Sequence, residues 1–226
     1  NEYVGVNCGI MDQFASACGL ANHLLVLDCR SLEWRALPIP PQVAIVIADT
    51  SVRRKLTTSG YNERRQACED AVAALSRGLP GIRALRDVSL ADFNRLCSAL
   101  PELVEKRARH VVEEIDRSRQ AVGLLERGDL AAFGRLMNAC HASLRDLYEV
   151  STPELDAMAA IAQGLPGCLG ARLTGAGFGG CTVNLVEKTA AGAFAASLAE
   201  GYARATGLTS EIYICRAADG ARILMD

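Results

Sequence analysis

The chain has 226 residues, half of them apolar but only 5% aromatic, which sets one large domain or two small ones built on Ala, Leu, Val and Ile. That composition excludes disorder and collagen-like structure. Twenty-four Lys plus Arg against 26 Asp plus Glu give a formal charge of −2, without the excess positive field of non-specific nucleic-acid binding.

Residues 9–18 (GIMDQFASAC) put Ile10, Met11, Phe14, Ala15 and Cys18 at helical spacing, with Gly19 suited to the end, and predict a short, well buried helix. Residues 23–29 (HLLVLDC) and 34–39 (WRALPI) predict an antiparallel pair, stopped by Pro38, Pro40 and Pro41. The apolar, β-branched run 42–48 (QVAIVIA) predicts a buried strand. The composition shift at the prolines sets an expected domain boundary, with residues 1–41 before it and 42–226 after.

Helix formers dominate residues 61–77, with Ala67, Ala71 and Leu75 on one face. Residues 89–100 predict a shorter helix capped by Ser89 and stopped near Pro101. Residues 102–127 predict a long amphipathic helix whose stripe is Val104, Ala108, Val111, Ile115, Val122 and Leu125, with Arg107, Arg109, His110 and Glu113 on its wet side. Gly128 and Asp129 break it and cap a successor, in which His141 reads as an ordinary helix residue; so short a loop demands antiparallel packing. Ser151, three residues before Glu154, fits a capping box, and Thr152-Pro153 starts a helix ending near Gly164. Strands are expected at 169–174, 181–186, 211–216 and 221–225, with a helix at 189–205 and a hairpin signal at Asp219-Gly220. The sum is an α+β architecture, helices packed on a largely antiparallel sheet.

Nine cysteines, odd in number and without a CxxC pair, suit reduced thiols, and three distant histidines offer little for zinc. No run approaches about 18 apolar residues and no leader opens the chain, so a soluble, cytoplasmic protein without nucleic-acid or membrane partners is expected. The run Gly175-Ala176-Gly177-Phe178-Gly179-Gly180 matches GxGxxG, but strand-like CTVNLV follows where a dinucleotide fingerprint needs a helix. A strand, a glycine loop and a strand remain. Such a loop approaches another surface closely and can turn amides towards an anion; a tight small-residue connection is the plain alternative, disfavoured by four glycines in six residues. Asp12, inside an apolar helix, must be solvated or partnered. Buried beside Gly9, it would accept a proton from a substrate hydroxyl and need a nearby cation to stay ionised. Arg53, in the basic run 51–55 after the buried strand, stands at a ligand-binding strand end or on a solvated turn. Tyr61 contacts a small polar ligand or packs; sequence leaves both open.

GVNCGIMDQF (5–14), LDCRSLE (27–33), SGYNERRQACE (59–69), RARHVVEEI (107–115), SLRDLYEVSTPELD (143–156) and RLTGAGFGGCTVNLV (172–186) together resemble the galactokinase branch of the GHMP small-molecule kinases, in order and along the whole chain. The resemblance implies ATP-dependent phosphorylation of the anomeric hydroxyl of galactose, with magnesium accompanying ATP. It places Asp12 on the family's catalytic aspartate, Gly9 and Tyr61 on sugar-contacting positions, and Arg53 near the nucleotide phosphates. Gly175, Gly177, Gly179 and Gly180 fall on the third family motif, beside the phosphate loop. The GHMP kinase fold is implied, with 1–41 as the tail of an N-terminal domain and 42–226 as a C-terminal domain. N-acetylgalactosamine kinases share these motifs, and a non-catalytic galactose and ATP sensor is the other alternative. Two family motifs, resembling GRVNLIGEHTDY and PxxxGLSSSA, are absent from the 226 residues, and with them the arginine that would partner Asp12. The chain therefore reads as part of a larger protein whose N-terminal half is its partner. Alone it is expected to be inactive, because phosphoryl transfer depends on positioning and charge neutralisation.

Overall fold

The computed structural model of the chain describes residues 9–53 and 58–222. Helix α1 (Met11–Cys18) is followed by strands β1 (His23–Leu27) and β2 (Trp34–Pro38), which pair antiparallel in a sheet of their own. Strand β3 (Val43–Asp49) then enters a four-stranded sheet of order β4-β5-β3-β6, with β4 (Cys168–Leu173), β5 (Cys181–Glu187) and β6 (Glu211–Cys215). Every pairing in it is antiparallel. Between β3 and β4 run α2 (Thr58–Leu75), α3 (Leu90–Leu96), α4 (Glu102–Glu126), α5 (Leu130–Asp146) and α6 (Pro153–Gly164); α7 (Ala191–Thr206) joins β5 to β6. The α+β class read from the sequence is the class observed.

Strand β3 is apolar from Val43 to Ala48 because both faces of its sheet are covered. Val46 and Ala48 join Ala171 and Val186 in a core closed by Met158 and Ala162 of α6 and by Phe194, Leu198 and Tyr202 of α7. Val43 and Leu185 face the other way, onto Met137 and Phe133 of α5. A second core gathers Ala71 and Leu75 of α2, Phe93 of α3, and Ala108 and Val112 of α4. Caps fix the helix starts: Ser89 Oγ accepts from the Asp92 amide at 3.0 Å, and Asp129 from the Ala132 amide at 3.0 Å. The hairpin is tethered to the helical layer by two paired ion pairs. Arg86 donates to both Asp28 oxygens at 2.7 and 2.6 Å, and Arg30 to both Asp87 oxygens at 2.6 and 3.2 Å. All four groups are partly exposed, so solvent screens both pairs and they orient the hairpin more than they stabilise it.

Four expectations are corrected. Helix α6 is capped by Thr152, whose Oγ1 accepts from the Leu155 amide at 3.3 Å; Ser151 lies one residue too early and donates to Asp156 at 2.6 Å. Arg107 and His110 are each only 5% exposed, since α4 is covered by α2 on one side and α5 on another, a wider arc than one apolar stripe. Residues 219–221 form no hairpin, because their polar groups are taken by the region around α1. The Gly220 and Ala221 amides donate to Gly19 O and Ser16 O at 2.8 and 2.7 Å, and Asp219 accepts from the Ala21 amide at 2.9 Å. No strand forms at 221–222, and the rest of that expected strand lies outside the described residues, as do Arg54 and Lys55. Finally, no residue of α1 is buried. Among the described residues no helix is long and apolar enough to cross a membrane.

Candidate active site

Residues 174–180 join β4 to β5 as a loop, as the strand-like sequence after the glycines requires. The backbone runs through the left-handed region: φ is 75° at Gly175, 79° at Gly177, 117° at Gly179, 87° at Gly180 and 60° at Phe178, where an aromatic residue is rarely found. Space forbids side chains at two of these positions as well. A Cβ on Gly177 would strike the Val150 carbonyl oxygen, and one on Gly179 would lie 2.6 Å from the Val52 carbonyl oxygen. The close approach is thus made first to the protein's own chain. Phe178 N–H donates to Val150 O at 2.7 Å and Gly180 N–H to Val52 O at 3.0 Å, while Gly180 O accepts from the Thr50 amide and hydroxyl at 3.0 and 2.6 Å. The amides of Gly175, Ala176 and Gly179 donate to no described backbone acceptor; Gly175 and Ala176, both exposed, form the turn that Gly177 closes. Successive unpaired amides in a glycine-rich turn make a concavity suited to an anion.

Arg53, exposed, follows the Val52 that anchors Gly180, and Tyr61, 39% exposed, follows the Gly60 that lies against the Phe178 ring. Both therefore border the loop. Asp12 and Gly9 do not join them through any described contact. Asp12 lies in the first turn of α1, exposed, with no hydrogen bond or ion pair among the described residues. The helix leans on β2 through Phe14, edge-to-face with Trp34 at 5.7 Å, and leaves Ile10 and Met11 39% and 60% exposed. The expected burial fails for a physical reason: eight residues resting on a two-stranded hairpin and one extended segment have too little protein around them to cover an apolar stripe. Among the described residues, a Cβ on Gly9 would meet nothing within 4 Å.

A family model described as GHMP kinases C terminal matches residues 121–204. The chain is 54% identical over its whole length to a galactokinase of Roseiflexus sp. (strain RS-1), and 43% identical over 99% of its length to one of Haemophilus influenzae (strain ATCC 51907 / DSM 11121 / KW20 / Rd). It spans 58% of the length of each. Its fold matches that of Lactococcus lactis galactokinase, crystallised with galactose, with a TM-score of 0.93 and 38% identity, over 99% of this chain and 58% of that one. The chain has the GHMP kinase C-terminal fold. The matched family segment contains α5, α6, β4, the glycine loop and β5, the elements that position the unpaired amides.

Sequence reasoning missed the supports of the loop. Thr50 is fully buried, and its carbonyl accepts from Tyr202 Oη at 2.9 Å, which fixes the strand end that Gly180 bonds to. His141 Nδ1 accepts from the Leu173 amide at 3.3 Å, the last residue before the loop, and its Nε2 stands 3.3 Å from Asp156. Glu149 holds Lys106 and Arg107 at 2.7 and 2.5 Å, cations that keep its carboxyl well below the usual carboxylate range. A Thr at the end of an apolar run was the one usable signal; the rest involve partners in other elements, 15 or more residues distant, which no local spacing reveals.

Proposed function

We propose that this chain forms the C-terminal part of an ATP-dependent galactokinase, with residues 1–41 closing an N-terminal domain and 42–226 forming the second. The observation that carries the reading is the set of unpaired amides at Gly175, Ala176 and Gly179, in a chain 54% identical to a galactokinase. ATP, when bound, supplies the γ-phosphoryl group. The residues fit its phosphates, because donors without acceptors line a turn that no side chain fills. Gly175 and Gly179 offer their amides to phosphate oxygens, Gly177 and Gly180, whose own amides are taken, hold the loop beside them, and Arg53 adds positive charge. Tyr61 and Gly9 face the sugar. As the anomeric oxygen bonds to the γ-phosphorus, the bond from that phosphorus to the bridging oxygen breaks, ADP leaves, and Asp12 takes the hydroxyl proton. The open face of α1 around Ile10 and Met11 is where the two upstream motifs close over that carboxylate. Magnesium, which accompanies ATP in this reading, finds no ligand set among the described residues, where no three His, Cys, Asp or Glu side chains cluster.

Galactose-dependent release of ADP tests the reading. The 226 residues alone give none. A longer chain that adds both upstream motifs turns over, and Asp12→Asn lowers its rate about 10³-fold. Robust turnover by the 226 residues overturns the need for the motifs; none from the longer chain overturns the kinase assignment.

A further inference from the structure

One cation with no part in the chemistry above touches both the glycine loop and the helix turn that carries Tyr61. Arg64 sits in α2 three residues after Tyr61, with its side chain 14% exposed. Nε donates to Tyr148 O at 3.1 Å and Nη2 to Glu149 O at 2.8 Å, while Nη1 reaches 3.4 Å to Gly60 O, the carbonyl that precedes Tyr61. The guanidinium carbon stands 5.4 Å from the centroid of the Phe178 ring, in the middle of the glycine run. The 148–150 turn and that run are themselves joined, Phe178 N–H donating to Val150 O at 2.7 Å.

Two of the three residues that Arg64 meets outside its own helix turn are held in the left-handed region without being glycine: Glu149 at φ 52° and Phe178 at φ 60°. Such residues stay there only where their surroundings over-determine the conformation. Lys106 and Arg107 secure the Glu149 carboxylate, which leaves its carbonyl and the Phe178 ring to Arg64. The carboxylate that pairs with Arg64, Glu63 at 3.3 Å, is 66% exposed, so its pull is weak and the guanidinium is spent on carbonyls and a ring.

We infer that Arg64 is a positioning residue for phosphoryl transfer, fixing the sugar-facing Tyr61 and the phosphate-facing glycine loop in one geometry through Gly60, Tyr148, Glu149 and Phe178. The inference rests on the kinase reading above. Lysine cannot substitute, because a point charge supplies neither the planar fork nor the face that covers the ring.

The test has two arms. In the 226-residue chain, amide hydrogen exchange is compared for wild type, Arg64→Gln and Arg64→Lys. Both variants speed exchange at Phe178 and Gly180 at least about tenfold while Val46 and Val186, in the sheet core, keep their protection. In the longer chain carrying both upstream motifs, both variants raise KM for galactose and KM for ATP together, each at least about fivefold, and lower kcat about tenfold or more. Tyr61→Phe raises the galactose constant alone. If Arg64→Gln exposes the sheet core as well, Phe178→Leu takes its place, since it deletes the ring and keeps every backbone bond. Unchanged Phe178 exchange in Arg64→Gln and Phe178→Leu overturns the clamp, as does full rescue by lysine; movement of only one KM overturns the coupling. Absence of transfer in the unsubstituted longer chain counts against the kinase reading, and the exchange arm then decides the clamp by itself.

Discussion

At Gly177 two independent constraints coincide, a φ of 79° and a carbonyl oxygen of Val150 standing where a Cβ would go. Gly177→Ala therefore lowers unfolding free energy in urea by on the order of 2 to 4 kcal/mol, strain and clash together. Gly192, in the first turn of α7 with nothing within 4 Å of its added Cβ and no positive φ, gives the contrast: Gly192→Ala leaves stability unchanged or raises it by up to about 1 kcal/mol. Equal losses at both sites would refute the steric account. The glycine pattern was legible in the sequence; the identity of the surfaces it approaches was not. Val150 and Val52 are ordinary apolar residues whose carbonyls, rather than side chains, do the crowding, and a backbone carbonyl leaves no mark in a sequence.

Between α4 and α5 a histidine has been taken out of water. His110 Nδ1 and Ser143 Oγ are 2.8 Å apart, the ring stacks on Tyr148 at 4.5 Å, and burial pushes its pKa down to about 4. The folded state thus refuses a proton that the unfolded chain accepts near pH 6.5. Its contribution to stability is complete above that value and is lost as pH falls towards 4. Between pH 7 and pH 5 it removes about 2 kcal/mol, at roughly 1.4 kcal/mol per pH unit below 6.5. Burial shifts His141 in the same direction. Urea titrations at the two pH values measure the slope, and His110→Gln flattens it by about that amount; an unaltered slope would place the proton uptake elsewhere. Helical spacing had revealed α4 and its stripe. It assigned His110 and Arg107 to the solvent because which flanks of a helix are covered depends on α2 and α5, set by tertiary packing and not by the period of 3.6.

For the molecule as a whole, the apolar surface around α1 and the hairpin is its main liability. Met11, Leu32 and Trp34 are 60%, 55% and 46% exposed. The 226-residue chain associates with rising concentration, seen by sedimentation velocity from about 10 to 100 μM, and Met11→Lys with Trp34→Lys returns it to monomer without loss of helical circular dichroism. Persistent association in that double variant would move the sticky surface elsewhere. The sequence also foretold an antiparallel sheet but not its order, β4-β5-β3-β6, since alternation and β-branching identify strands and say nothing about which neighbour each finds. That order has a consequence during synthesis. β3 lies between two strands that follow it late, and its Val46 carbonyl waits for Asn184, 138 residues further on. At ribosomal rates of about 5 to 20 residues per second, the most apolar strand of the protein stays an orphan for roughly 10 to 30 seconds. The intervening helices, whose contacts are local in sequence, form first. A message cut short before Cys181 yields no smaller protein: it releases a nascent chain with a bare strand, a client for chaperones and proteases.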